Sequence, residues 1–280
     1  MAKCKIGLAL GSGAAKGLAH IGVLKAFEAE GVPIGAVSGS SIGAVVGGAY
    51  AAGVSVDKII DFAIRFGNRN RAMWMDPAFM FKGGGLIKGG KIENALRELI
   101  GPLDFKDLKM PFFAVATDLV SGKEVVLKEG DLNKAIHASF SVPGIFAPVR
   151  IGEHLLVDGG VVAPIPTRVL AEMKCDLVIG VNVAIAPKAE SSIFSEGNHG
   201  IIDVLLQVMS VAQGKIAYHC METAEVHIIP DVGEYSWTDF SKAEELIELG
   251  YQSTKRHMPI IKGIVASNKA ISFIKRLFCS

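Results

Sequence analysis

Apolar residues come in short unbroken runs at Ile6–Leu10, 36–38, 112–116 and 177–183. A run without alternation is what a strand buried on both faces requires. Two further pieces, Glu124–Leu127 and Val149–Ile151, mix apolar with charged positions, as strands with one face in water do. Between the runs the period changes. Segments 19–30 and 91–100 repeat apolar residues every three or four positions and predict amphipathic helices. Buried strands alternating with helices predict an α/β fold, a mainly parallel sheet covered on both faces, with antiparallel strands added at one edge.

Two stretches complicate this pattern. The apolar start of the chain imitates a secretory leader, but it is short and runs straight into Gly11-Ser-Gly13, so a first buried strand is the better reading. Segment 37–54 is uncharged and approaches membrane-spanning length. Its many glycines and serines favour a strand end followed by a core helix instead. Segment 66–90 differs in kind, with Arg65, Arg69 and Arg71 before large apolar residues set between glycines. It fits a mobile flap over an apolar site and a packed surface excursion equally.

The chain of 280 residues is half apolar and one-fifth charged, enough to bury a large core. No linker or repeat divides it, which predicts a single domain over 1–280, with a core at about 6–185 and a helical C-terminal region at about 200–280. The formal net charge of +1 gives no electrostatic case for nucleic acid. Cys4, Cys175, Cys220 and Cys279 lack metal-ligand spacing and fit reduced thiols in a cytoplasm.

Two glycine-rich turns carry the candidate chemistry. Gly11-Ser-Gly-Ala-Ala-Lys-Gly17 follows the first strand. Its third glycine comes one position late for a dinucleotide fingerprint, and Lys16 is followed by Gly17 where a phosphate loop needs a hydroxyl. The Walker-like stretch 85–91 has Ile92 in place of that hydroxyl. Successive amides at a helix start suit another negative charge, the oxyanion of an acyl-transfer intermediate. The second turn, Gly39-Ser-Ser-Ile-Gly43, has the G-x-S-x-G form of a nucleophile elbow and exposes Ser41.

A serine needs a base. His137, His154, His199, His219, His227 and His257 lie in ordinary helical, turn or strand surroundings, and only one strand precedes the elbow, against a histidine triad. Asp158, in Val157-Asp-Gly-Gly160, is the alternative, although an Asp-Gly turn is common on its own.

Taken in order, the 11–17 loop, the 39–43 elbow, Asp158-Gly-Gly160 and Ala138-Ser-Phe-Ser-Val-Pro-Gly-Ile-Phe-Ala-Pro148 resemble the patatin-like phospholipase family. The likeness is nearest its bacterial branch related to neuropathy target esterase. It extends through Lys109-Met-Pro-Phe-Phe-Ala-Val-Ala-Thr-Asp-Leu119, and 243–251 is similar to the family's C-terminal helix. The resemblance implies a three-layer α/β/α sandwich and a Ser41–Asp158 dyad. It also implies an oxyanion hole from the amides of Gly11, Ser12, Gly13 and Ala14, supported by Lys16, Gly17, Gly39, Gly43, Gly159 and Gly160. Substrates would be fatty acyl esters of lipids, with no metal or cofactor. Ser12, Ser40 and Ala163 depart from the residues usual in the family.

An acyltransferase, or a lipid-binding regulator with little turnover, are the rival readings. Segment 264–278 alternates apolar residues with Lys269, Lys275 and Arg276. It predicts a basic amphipathic helix that packs on the core or rests on the inner face of a membrane, the one candidate for peripheral contact by an otherwise cytoplasmic protein.

Overall fold

The unalternating runs do become buried strands. The computed structural model describes residues 6–68, 85–185 and 200–278. In chain order the elements are β1 (Ile6–Leu10), α1 (Ala19–Ala29), β2 (Ala36–Ser40), α2 (Ile42–Ala51), α3 (Val56–Asn68), β3 (Gly85–Ile87), α4 (Gly90–Ile100), β4 (Phe112–Asp118), β5 (Glu124–Leu127), α5 (Leu132–Phe140), β6 (Gly144–Phe146), β7 (Val149–Ile151), β8 (His154–Asp158), α6 (Thr167–Glu172), β9 (Leu177–Val181), α7 (Ile201–Met221), β10 (Val226–Ile228) and α8 (Ala243–Phe278).

The main sheet runs β10-β9-β1-β2-β4-β8-β7, with β5 also paired to β4. The first five strands are parallel, and β5, β8 and β7 are the antiparallel additions. Strand periodicity divides the core into two layers. Leu8 and Leu10 of β1, with Phe112, Ala114 and Ala116 of β4, face α1, α2, α3, α4, α5 and α8. Ala9, Phe113 and Val115 point the other way, toward α6 and α7. The result is a three-layer α/β/α sandwich, heavily covered on one face and thinly on the other.

β4 positions the site. Its residues 112–115 pair with β2, and its residues 116–118 pair with β8. Because β5 occupies the opposite edge, β2 and β8 meet end to end on one side of β4. Ser40 opposes Val115 and Asp158 opposes the next residue, Ala116. The last residue of β2 and the last residue of β8 are thereby brought together across 118 positions of sequence.

Segment 37–54 resolves into β2 and α2, and no helix among the described residues is long and apolar enough to cross a membrane. Residues 69–84 of the expected flap lie outside the described residues, as do Cys4, His199 and Cys279; Phe66 belongs to α3 and β3 pairs with β6. α8 continues as helix to Phe278, while the side chains of its last residues, Lys269, Lys275 and Arg276 among them, are outside those described. The run at 177–183 forms a strand only to Val181. Helices α3, α5 and α6 were not among the segments read as helical, whereas α7 and α8 fall within the helical region expected at about 200–280.

Candidate active site

Ser41 sits between β2 and α2 with φ 56° and ψ −123°, left-handed backbone that a non-glycine residue avoids unless its surroundings hold it. The flanking glycines make the turn sterically feasible. A Cβ on Gly39 would lie 2.4 Å from the Gly43 carbonyl oxygen, and one on Gly43 would lie 2.1 Å from the oxygen of Leu10. Ser41 is buried but lines a cavity.

Asp158 ends β8 and is 1 % exposed. Its Oδ1 accepts the Gly160 N–H at 2.7 Å, while Oδ2 is buried and receives no hydrogen bond. Burial pushes the carboxyl up to about 6, against the opposing pull of the Ser41 hydroxyl and the Gly160 amide. Ser41 and Asp158 line the same cavity. Gly159 must be small here: its Cβ would lie 2.1 Å from the Val115 oxygen.

The loop after β1 borders the same cavity. Of its four candidate donors, Gly11 N–H is bonded to Val181 O at 3.1 Å and Ser12 N–H to Pro164 O at 2.8 Å. The amides of Gly13 and Ala14 have no acceptor among the described residues, and both residues line the cavity. Ala14 has φ 48°. Lys16 is buried and donates to Ile185 O at 2.9 Å; burial lowers its pKa, partly offset by Asp239. A Cβ on Gly17 would collide with Ile42, so this loop and the elbow pack directly on one another.

His20 lies beneath the loop, wholly buried, with its Nε2 2.7 Å from Gly11 O. Since a carbonyl can only accept, Nε2 is the donor and Nδ1 is left unprotonated, without a partner. Burial lowers its pKa to about 4. Among the described residues, none of the histidines weighed as bases borders the cavity. His137 is paired to Glu93 at 2.7 Å and His154 lies 3.6 Å from Asp118.

Two chambers meet at Ser41. The larger, about 270 Å³, contains Ser12, Gly13, Lys16, Asp158 and residues of α7 such as Gln207, Ser210 and Gln213. The second, about 160 Å³, is walled almost wholly by apolar side chains of α1 to α4, among them Ile21, Val46, Ile59 and Leu96. Ser41, Ala14, Phe66 and Phe240 border both. Among the described residues no group of three His, Cys, Asp or Glu is placed to hold a metal ion.

Sequence patterns did not reveal the second chamber, the part played by α7, His20, or the buried Ser139 and Ser141 described below. The Ser-Phe-Ser stretch and the Ala-His-Ile-Gly after the loop were their only local signals.

This sandwich, with its elbow serine at the carboxyl ends of parallel strands, is the architecture of patatin-like proteins. The family model for patatin-like phospholipase matches residues 8–171, and the chain belongs to that family. An uncharacterised NTE family protein of Mycobacterium tuberculosis is 41% identical over 64% of this chain and 49% of its own length. Lysophospholipase NTE1 of Kluyveromyces lactis is 25% identical over 94% of this chain and 20% of its own. Human patatin-like phospholipase domain-containing protein 6 is 27% identical over 89% and 20%, respectively. The chain thus spans about half the length of the mycobacterial relative and about a fifth of the other two. At the level of the family, these relationships support lipid hydrolysis.

Proposed function

We propose that the protein is a serine acyl hydrolase of lysophospholipids or related fatty acyl esters, with Ser41 as nucleophile and Asp158 as its base. The observation that carries this reading is the placement of a strained serine and a buried, partly unsatisfied carboxylate where an apolar chamber joins a more polar one. A single acyl chain fits the apolar side and the head group the other. The relative named a lysophospholipase supports a substrate with one acyl chain.

Asp158 takes the Ser41 proton as Oγ attacks the ester carbonyl carbon. The Gly13 and Ala14 amides receive the developing oxyanion, each such donor contributing about 3–4 kcal/mol. As the tetrahedral intermediate collapses, the C–O bond to the leaving alcohol breaks and Asp158 returns the proton to that oxygen. Water then attacks the acyl-enzyme, giving its proton to Asp158, and the proton passes back to Ser41 as the fatty acid leaves. The chain acts as one domain in this scheme, and no step calls on a metal or cofactor.

A fluorophosphonate probe tests the reading directly. Wild type is labelled and Ser41→Ala is not; an unlabelled wild type refutes it. Because only ionised Asp158 accepts a proton, kcat/KM on a lysophospholipid rises with pH around a midpoint of about 6. Asp158→Asn lowers kcat roughly 10²–10⁴-fold and abolishes that midpoint; a surviving midpoint assigns the base elsewhere.

A further inference from the structure

The last turn of α5 holds both members of this pair by their backbones. The Ser41 N–H donates to Ser139 Oγ at 3.0 Å, and the Ser139 hydroxyl donates in turn to Val115 O at 2.6 Å. Two residues on, Ser141 O accepts the Asp158 N–H at 2.9 Å. Ser141 is itself tied down, its hydroxyl donating to His137 O at 2.8 Å. Both serines are fully buried. The pairing of β2 with β4 ends at Ser40, so the Ser41 amide has no strand partner; the Ser139 hydroxyl stands in for the missing rung.

We propose that Ser139 is a positioning residue that, with the Ser141 carbonyl, sets the distance between Ser41 and Asp158. The proposal rests on the acyl-hydrolase reading above. Ser41 holds a left-handed conformation that an L-residue leaves when released, and among the described residues its N–H is bonded only to Ser139. Loss of the bond lets the elbow relax and carries Oγ away from the carboxylate. The hydroxyl is suited to the task because it accepts and donates at once, linking the nucleophile to the strand that also registers Asp158.

The test is the second-order rate of fluorophosphonate labelling measured against pH, for wild type, Ser139→Ala and Ser139→Cys, with thermal unfolding of each. The alanine variant is expected to label 10–100-fold more slowly. Its pH midpoint is expected to move upward, because the Ser41 hydroxyl that favours the charged carboxylate has withdrawn. Lys16 is the only other charged side chain lining the larger chamber among the described residues, and the substitution leaves it in place. Ser139→Cys keeps the volume but offers a poor acceptor; it shows the same signs, and serves alone if the alanine variant does not fold. Labelling at the wild-type rate, or slower labelling with an unmoved midpoint, overturns the proposal. A wild type that takes no label fails the underlying reading instead.

Discussion

The turns after β1 and β2 begin as neighbours, since these strands are parallel and adjacent. Both are rich in glycine and lead into a helix, and both contain a non-glycine residue at positive φ, Ala14 and Ser41. Their outputs differ. The first stretches over a short 3₁₀ turn and leaves two amides unengaged above a buried histidine. The second passes into α2 within one residue and projects a side chain. A long glycine turn presents backbone, whereas a tight one presents the residue at its apex. An acyl-transfer site needs one of each.

The largest effect comes from forcing the two turns apart. Gly43→Ala places a methyl about 2 Å from a β1 backbone oxygen that cannot move without disturbing the sheet. A loss of about 3 kcal/mol or more is expected, read from urea unfolding, together with loss of probe labelling. Near-normal stability would mean that the strands do not approach this closely.

A second prediction separates the groups by pH. His20, lowered from 6.5 to about 4, contributes stability that is full above pH 6.5 and is lost as pH falls through about 4. Asp158, raised from 3.8 to about 6, contributes stability that is full below pH 3.8 and is lost as pH rises through about 6. The two nearly cancel between pH 4 and 7, each amounting to about 2–3 kcal/mol. Removing either unmasks the other. Relative to wild type, Asp158→Asn gains that amount on going from pH 4 to pH 7, and His20→Gln gains it in the opposite direction. Parallel denaturation profiles across this range would refute both assignments.

The smallest effect sharpens the contrast in strain. Ala14→Gly relieves a positive φ while adding freedom to the unfolded chain, so stability changes by less than about 1 kcal/mol. Probe labelling stays within about threefold if the amide direction is set by the Gly11–His20 and Ala15–Trp237 bonds around it.

The parallel sheet and the strand-to-helix turn at Ser41 were legible because unbroken apolar runs and glycines at fixed spacing are local demands of buried strands and tight turns. The spent amides of Gly11 and Ser12 were not, because Val181 and Pro164 reach them from about 170 and 150 positions away. Ser139 and Ser141 were visible only as part of a motif. A hydroxyl carries no periodic signal of what it will bond. The apolar chamber is assembled from residues that each read as ordinary core.

The shared edge of β4 works as a ruler. Insertions at the exposed β7–β8 turn, at 152–153, would leave both readings on that ruler unchanged. A single residue deleted within β8 would turn Asp158 to the opposite face of the sheet. The pairing is thus indifferent to the length of the β7–β8 turn and intolerant of a change of parity along β8.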